Sequence, residues 1–444
     1  MRKLLRSQRG SAAFATVIAL VPLIGAVALG AEAGSWYVTR QQGQNAADAA
    51  AYAGALRLSC TIAGATCDTS VDYQARQFAA QNAFCNAGDS YPGCATSLPS
   101  RVSRTVQIDI GDYSAGSFTT PAAGTGNAVR ARVSQQQPAY LTGVLGLTTP
   151  VNIPAQAIAL VQNPSKVCGL ALGPDPTGGG GALKIAGNVT NNGTGCPLMS
   201  DASVQFASTP SFTGSGWGVY GATGCSPNST CANPGVAHNY FMPYANNPLS
   251  KLDSEAFNSR TGNTSPSCPV KADGWKHCTP NSGGTGAYGS FPTVSTGDKY
   301  VLDPGTYFFY KATIKITGGE LKGTGVTLVL LGDSSLTING GTVDLSAPDT
   351  NSFSSDLNGV LIDDQAPDKT SNKVTINGGG QVRLGGAMYF PHVDVSWGGT
   401  AASANTNCSQ VIAKTLTMSG GGYLSTDGCV PGTTVYTQVV ALVQ

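Results

Sequence analysis

IKITGG at residues 314–319 recurs as LTINGG at 336–341, VTINGG at 374–379 and LTMSGG at 416–421, and a degenerate copy, LKIAGN, occupies 183–188. Each copy alternates apolar and polar residues and then reaches a glycine pair or Gly-Asn. The four full copies begin 22, 38 and 42 residues apart, which we interpret as one, two and two turns of a coiled β structure. The repeat therefore predicts a β fold built by stacking similar turns.

The alternation assigns the side chains of each repeat to two faces, because successive residues of a strand point to opposite sides. The apolar positions are expected to point inward and stack, namely Ile314, Ile316, Leu336, Ile338, Val374, Ile376, Leu416 and Met418. The intervening positions should face solvent: Lys315, Thr337, Thr375 and Thr417. The glycine pairs suit corners, where positive φ is cheap only for glycine. A parallel β-helix or solenoid is therefore expected over 183–444, with a β-sandwich of Gly-rich hairpins as the alternative.

Composition supports a mainly-β chain. Of the 444 residues, 41% are hydrophobic and only 11% charged, while 58 glycines and 25 prolines favour short strands and turns over helix bundles. The first 31 residues hold four of the 25 basic groups and no acidic one, so the remainder has 21 basic and 24 acidic groups, a net charge of −3. Such a body lacks the basic footprint of a nucleic-acid-binding protein.

Residues 10–31 contain no charge and are long enough, at about 1.5 Å per residue, to cross the hydrocarbon core of a bilayer as a helix. The preceding Arg2, Lys3, Arg6 and Arg9 predict a single pass with the N-terminus in the cytoplasm and the rest of the chain outside. Two alternatives stay open. The small residues at 31–33 would suit signal-peptidase cleavage, and a prepilin-type cut could follow Gly10, although Ala15 stands where an acidic residue is then expected.

The apolar run is followed by an alanine-rich segment, QNAADAAAYAGAL at 44–56. Alanine is the best helix former, so residues 41–58 should continue the membrane helix as a rod of about fifty residues. Small residues let helices approach closely where lipid offers no hydrophobic drive. We therefore expect a helix-packing surface formed by Gly25, Gly30, Gly34, Ala46, Ala50 and Gly54. The alternative is a plain anchor and stalk.

The patterns divide the chain into four parts. Residues 1–34 are expected to form a cytoplasmic basic tip and a transmembrane helix, and residues 35–165 a stem helix with a small α+β module. Within that module, SVDYQARQFAAQNAF at 70–84 suggests a second helix. Three later segments alternate apolar and polar residues, as antiparallel strands do. A Gly/Pro-rich linker at 166–182 precedes the repetitive β domain at 183–444. The predicted fold class is thus a membrane-anchored α+β protein with a distal, mainly-β domain.

All twelve cysteines follow the apolar run, as an oxidising compartment would allow. The disulfide candidates are Cys60, Cys67, Cys85, Cys94, Cys168, Cys196, Cys225, Cys231, Cys268, Cys278, Cys408 and Cys429. Bridges between neighbours are the simplest hypothesis, as in Cys60 with Cys67, Cys85 with Cys94 and Cys225 with Cys231, although spacing does not determine connectivity. Because no C-x-x-C pair occurs and the three histidines, His238, His277 and His392, are isolated, we expect no metal site and no cofactor.

Solenoids often bind or cleave polysaccharides, which makes an enzyme the alternative functional class. Asp363 and Asp364, with Lys373 nearby, are the best acidic cluster for acid–base hydrolysis of a glycoside. Arg383 and His392 stand alone, so we expect a polar loop and no catalytic residues. The sequence LLGDSSLT imitates a D-x-S-x-T metal-binding loop through Asp333, Ser335 and Thr337, but strand-like LTINGGTVDL follows it where a helix would be required.

The N-terminal segment, RGSAAFATVIALVPLIGAVALGAEAGSWYVTRQQGQNAADAAAYAGAL, resembles the N-terminal region of TadE/TadG-like Flp pilus-assembly proteins. The residues that carry the resemblance are Gly10, Pro22, Glu32, Gly34, Gln44, Asn45, Ala46, Ala47, Asp48, Ala49 and Ala50. Glu32 replaces the family's usual Asp, and Ala15 replaces the Glu of a processed pilin. The resemblance implies an inner-membrane protein of a tight-adherence pilus and secretion apparatus, and it brings no catalytic residues.

These observations predict a non-catalytic envelope protein of a Flp/Tad-type pilus, anchored in the bacterial inner membrane. Its β domain would be periplasmic or surface-exposed, and its expected partners are the membrane, other pilus or secretion-apparatus proteins and a surface or polysaccharide. The alternative, from another functional class, is a secreted or tethered carbohydrate-active β-helix enzyme, either a polysaccharide lyase or a glycoside hydrolase.

Overall fold

The computed structural model describes residues 8–64, 67–94, 97–121, 126–139, 149–176, 180–190, 196–367, 373–378, 381–399, 408–421 and 424–443. These residues form two compact units. The first contains the described residues up to Thr61, those from 67 to Gln162 and those from Val440 onward. The second contains residues 62–64 and those from Asn163 to Val439. The basic tip, with Arg2, Lys3 and Arg6, lies outside the described residues.

The elements of the N-terminal part follow the predicted order. They are α1 Gln8–Ile62, α2 Val71–Gln81, β1 Ser103–Ser114, β2 Ser117–Thr119, β3 Ala128–Gln137 and β4 Val151–Gln162. The next group comprises β5 Lys166–Val167, β6 Gly169–Ala171, β7 Leu183–Thr190, β8 Leu198–Ser200, β9 Ser203–Phe206, β10 Ser211–Thr213, β11 Gly218–Gly221, β12 Gly224–Ser226, α3 Asn228–Cys231 and β13 Ala237–Tyr240.

Short 3-10 helices at Ser250–Ser254 and Ala256–Ser259 precede the remaining strands, and a third occupies Ser355–Leu357. These strands are β14 Lys276–Cys278, β15 Lys299–Leu302, β16 Gly305–Tyr310, β17 Thr313–Ile316, β18 Glu320–Thr324, β19 Val326–Leu331, β20 Ser335–Ile338, β21 Thr342–Ser346, β22 Val360–Asp364, β23 Lys373–Gly378, β24 Val382–Gly399, β25 Ser409–Gly421, β26 Val435–Tyr436 and β27 Val439–Leu442.

The first unit packs α1 and α2 with a five-stranded sheet. The strand order is β2-β1-β3-β4-β27, and β1, β3 and β4 pair antiparallel. The helix α2 begins where the Ser70 side chain accepts a hydrogen bond from the Tyr73 N–H, which satisfies one free amide of the first turn. The long helix, the second helix and the antiparallel strands predicted for this region are therefore confirmed.

The second unit is a parallel β-solenoid of about 10 turns. Its first face stacks β16, β19, β22, β24, β25, β6, β8, β11 and β13. Its second face stacks β17, β20, β23, β24, β25, β7, β9 and β12. The third face stacks β14, β15, β18, β21 and the start of β24. The predicted solenoid is confirmed, and the sandwich alternative is excluded.

The repeats lie on the second face as alternation predicted. All eight of their inward apolar side chains are buried in one core, while Lys315 is exposed and Thr337, Thr375 and Thr417 are half-buried on the outer side. The degenerate repeat stacks on the last full one, with Leu183 beside Leu416 and Ile185 beside Met418. Each turn thus buries its apolar side against its neighbours.

One predicted interval was wrong. Ile338 pairs directly with Ile376, so the 38-residue interval between the second and third repeats is one turn. Its extra length is an excursion at 347–359, which includes the 3-10 helix Ser355–Leu357. The last interval does contain two turns, because Val395 on β24 stacks between Val374 and Leu416.

The solenoid is not stacked in chain order. Its last turn, β25, pairs with β6 and β7, the first strands of the solenoid in sequence. The segment after the solenoid returns to the segment before it, because β26 pairs antiparallel with β5. After Val439 it supplies β27 to the sheet of the first unit. The solenoid is therefore an insertion between β4 and β27, in place of the predicted succession of domains, and β5 and β6 occupy part of the segment expected to be a linker.

Residues 241–263, which we call the strap, connect β13 to the opposite end of the stack along the outside of the first face. Along this path the Ala245 N–H donates to Asp201 at 2.7 Å and the Asn247 amide donates to the Tyr389 hydroxyl at 3.2 Å. Further on, the Arg260 guanidinium lies 4.0 Å from the centre of the Phe308 ring. A second apolar core forms beneath the strap and includes Leu249, Leu252 and Phe257.

Candidate membrane anchor and contact surfaces

The first half of α1 exposes large apolar side chains. Phe14 is 70% exposed and Val27 is 66% exposed, and the most apolar stretch of the helix has no buried residue. By length and composition, α1 is the one helix in the described parts of the chain that could cross a membrane. Exposed apolar surface on this scale marks an interaction with lipid or with another protein.

The second half of α1 is packed inside the first unit. Ala46, Ala47 and Ala50 are fully buried, and Gln44 donates through Nε2 to Asp48 at 2.7 Å and to the Gln156 carbonyl at 3.1 Å. The other signature residues of this stretch are less enclosed: Ala49 is half-buried and Asn45 is exposed. Small side chains here let the helix approach its own sheet.

The six predicted helix-packing positions thus fall into two groups. Added side-chain carbons at Gly25, Gly30 and Gly34 would meet no other described atom within 4 Å. At Gly54 an added Cβ would lie 3.0 Å from Val129 Cγ1 and 3.2 Å from Ala75 Cβ. Gly54 therefore serves packing within the unit, as buried Ala46 and Ala50 do, and only the three glycines of the apolar half are open to another molecule.

We expect Gly54→Leu to loosen α1 from the sheet, because a branched side chain cannot fit between Val129 and Ala75. The cost should be about 1–3 kcal/mol, as for overpacking of other cores. Hydrogen–deuterium exchange should show faster exchange of the β3 amides. Gly34→Leu on the same helix is the matched control and should leave β3 exchange unchanged; equal acceleration by both would contradict this packing role.

The exit from the apolar half carries the other signature residues. Glu32 is buried, Gly34 is exposed, and Pro22 lies within the helix without interrupting it. Trp36 is half-buried and Tyr37 is exposed. Aromatic residues are enriched where helices leave a bilayer. Gly10 belongs to α1, and its exposure is not among the features that the structure describes.

All twelve cysteines are paired. The six bridges are Cys60–Cys67, Cys85–Cys94, Cys168–Cys196, Cys225–Cys231, Cys268–Cys278 and Cys408–Cys429, so every bridge joins neighbours in sequence and the three pairs named from spacing are among them.

His277 adjoins Cys278 but lies between two carboxylates, with 2.9 Å from Nε2 to Asp273 and 2.8 Å from Nδ1 to Asp303. These hydrogen bonds, to Asp273 first, raise the pKa of His277.

Asp363 and Asp364 end the buried strand β22, so the polar loop expected for them is wrong. Both are fully buried, and as neighbours on β22 they point to opposite sides: Asp364 is in register with Leu330 of the solenoid core, and Asp363 with Val329 beneath the strap. Burial raises the pKa of Asp364 to about 7 and that of Asp363 well above its usual range. Neither carboxyl is exposed to solvent in this arrangement.

The other charged residues considered for this site differ in their surroundings. Arg383 lies on the third face, 3.6 Å from Asp344, while His392 is exposed. The side chain of Lys373 lies outside the described features. Ser335 and Thr337 belong to strand β20, so the strand expected after LLGDSSLT is confirmed, and Asp333 does not precede a helix there.

An aromatic and basic patch lies at the third face. The Lys322 and Lys299 ammonium groups are 4.4 Å and 5.4 Å from the centre of the Trp275 ring, an arrangement that allows cation–π attraction. Glu320 approaches both lysines, at 3.5 Å and 3.8 Å. Isolated histidines and charges in the sequence did not indicate this patch, and the pairing of β15 with β18 creates it.

An exposed apolar helix continuous with a small α+β unit, followed by a disulfide-bonded solenoid, fits a membrane-anchored protein that presents a β domain. Comparison with known families agrees. Residues 10–57 match the Tad model of TadE/G-like Flp pilus-assembly proteins, and residues 53–159 match the Tad_C model of Tad-like Flp pilus assembly. Residues 10–159 of the first unit are therefore similar to Tad pilus-assembly domains, and the resemblance recognised in the N-terminal sequence is confirmed. Neither curated proteins nor solved structures provide a significant match.

Proposed function

We propose that this chain is a non-catalytic envelope protein of a Flp/Tad-type pilus, anchored in the bacterial inner membrane by the first half of α1. The observation that carries the proposal is the contrast along one helix. The most apolar stretch of its first half has no buried residue, whereas alanines of its second half are buried in the unit that matches the Tad models. Lipid is the solvent that suits the first half.

Charge and disulfides support the orientation in this proposal. The basic residues before the apolar half favour a cytoplasmic N-terminus. Both units carry disulfides, which persist in oxidising compartments such as the periplasm. The solenoid would accordingly lie in the periplasm or at the cell surface.

Two surfaces are proposed for partners. Gly25, Gly30 and Gly34 leave room for another membrane helix to approach, which suits contact with other pilus or secretion-apparatus proteins. The patch of Trp275, Lys299 and Lys322 suits a surface or polysaccharide, because an aromatic ring can pack on a sugar while the ammonium groups bind anionic substituents. The solenoid acts in this proposal as a contact module.

Anchoring is tested by placing carboxylates in the apolar half, with Val17→Asp and Ile24→Asp combined. Each aspartate at the centre of a membrane helix should cost about 3 kcal/mol on insertion scales. We expect the double variant to be lost from the carbonate-resistant membrane pellet and its cells to lack Flp pili. The matched control combines Tyr52→Asp and Leu56→Asp, which change exposed residues further along the same helix, and should remain in the pellet.

Extraction of the wild-type chain by alkaline carbonate would refute the anchor, and intact-mass analysis would reveal cleavage after Gly10 or Ala33. The enzyme alternative is separated by combining Asp363→Asn and Asp364→Asn. Piliation should persist in this variant, whereas a wild-type protein that releases sugars from a polysaccharide, with loss of that release in the variant, would favour an enzyme.

A further inference from the structure

A polar cleft lies beside α1 in the first unit. Arg40, the first residue that lines it, follows Ala33 by seven positions in the helix. The cleft has a volume of about 590 Å³ and is lined by Arg40 and Gln44 from α1 and by side chains of β1, β3 and β4, including Thr105, Gln107, Arg132 and Gln156. Gln44 ties the helix to the sheet through its bond to the Gln156 carbonyl. The cleft is thus bounded by the helix α1 and by the sheet to which Gln44 binds it. Most of the side chains that line the cleft can donate hydrogen bonds.

The cleft has an excess of positive charge. Arg132 and its neighbour Arg130 share a single carboxylate, that of Asp109, at 2.9 Å and 3.1 Å, while Arg40 is exposed. Asp48 is the other nearby acid and accepts from Gln44. Arg40 and Arg132 are therefore the charged residues among those that line the cleft, and no carboxylate is among them. The Arg132 side chain remains 43% exposed despite its ion pair, so its fork retains donors directed at solvent.

We infer that this cleft binds a phosphate group, with Arg40 and Arg132 as its two cationic contacts and Gln107 or Gln156 as neutral donors. Guanidinium groups match phosphate oxygens in shape and charge, and they bind them more strongly than neutral donors do. Both arginines line one cleft of the right chemistry, which an isolated surface arginine does not provide.

The position along α1 selects the headgroup of an anionic phospholipid as the expected source of that phosphate; this step rests on the proposed anchoring. Arg40 would lie about 10 Å beyond Ala33 along the helix. Trp36 and Tyr37, between them, suit the membrane interface, and arginine side chains near helix ends extend toward that interface. Anionic headgroups attract basic residues close to the surface. A free phosphate ion is the other source of the same chemistry.

Native mass spectrometry of the full chain in detergent tests the inference, with phosphatidylglycerol and phosphatidylcholine titrated in parallel. We expect the wild-type chain to retain phosphatidylglycerol preferentially. Arg40→Gln and Arg132→Gln should each weaken that retention about tenfold, the effect of losing one charge-assisted hydrogen bond. Arg57→Gln is the matched control, since Arg57 lies on the same helix and does not line the cleft. It should retain the lipid as the wild-type does.

A second arm measures the melting temperature in millimolar inorganic phosphate. Phosphate that stabilises the wild-type chain but not Arg40→Gln, without a preference between lipids, supports the cleft with a free ion as its ligand. The inference is overturned if neither lipid preference nor phosphate stabilisation is seen, or if Arg57→Gln has the same effect as Arg40→Gln. Carbonate extraction of Arg40→Gln should match the wild-type, so failure of the cleft and failure of the anchor give different results.

Discussion

Gly341→Val is expected to lower the free energy of unfolding of the solenoid by about 3–5 kcal/mol. Gly341 has a φ of +82°, which a β-branched residue adopts only with strain. A Cβ at this position would also lie 2.6 Å from the Gly318 carbonyl oxygen and 2.8 Å from that of Gly319. These atoms belong to the backbone of the preceding turn, so the clash can be relieved only by separating two turns.

Two control variants divide the cost into its causes. Gly297→Val shares the positive φ, at +90°, but an added Cβ meets no described atom within 4 Å, so it reports backbone strain alone. Gly283→Val has open space and no positive φ, so it should be nearly neutral. Urea unfolding of the full chain followed by circular dichroism gives the comparison. Equal losses for Gly341→Val and Gly297→Val would show that the close approach between turns is unimportant.

The second large effect is a loss of solenoid stability as the pH rises. Burial raises the pKa of Asp364 to about 7 and that of Asp201 to about 8, so both carboxyls are neutral in the folded state at mildly acidic pH. The unfolded chain releases these protons near pH 4, and the folded chain holds them longer. The stability that these two raised pKa values give the folded chain is fully present below pH 4, and it is lost as the pH rises through 7 and 8.

Asp364→Asn tests this linkage at one site. The amide resembles the protonated acid, and Asp364 Oδ2 has no hydrogen-bond partner within the described part of the chain. The variant should match the wild-type in stability at pH 4 and exceed it at pH 8 by about 4 kcal/mol, because the pKa of Asp364 is about 7 in the folded chain and near 4 in the unfolded one. Asp349→Asn, at an exposed site on the excursion, is the control for urea midpoints measured across this range.

A gain of stability that is the same at pH 4 and pH 8 would assign the effect of Asp364→Asn to packing. No gain at either pH would show that the carboxyl is not penalised by burial. Asp363→Asn should behave similarly in direction, although Asp363 already accepts a hydrogen bond from Gln365 at 2.8 Å.

The candidate site was only partly accessible to sequence reasoning. The exposed apolar half of α1 follows from composition alone, and the small residues of QNAADAA include the buried Ala46, Ala47 and Ala50. Their partner is the sheet of the same unit, which Gly54 contacts through Val129. The strap was missed, although the apolar spacing of Leu249, Leu252 and Phe257 within a polar stretch was a signal for a buried segment. The patch around Trp275 and the cleft at Arg40 have no local signal, because each joins residues that are far apart in the sequence.

Local pattern alone determines which side chains of each repeat are buried, where its corners turn and that α1 has an apolar half, because period-two alternation, glycine backbone freedom and side-chain hydropathy act over a few residues. Tertiary structure decides the order in which the turns stack. Parallel rungs with similar apolar faces can pair with one another interchangeably, so LTMSGG could stack on any open rung. Its position beside LKIAGN, the strap across the first face and the return of β27 to the first sheet depend on long-range packing of the whole chain.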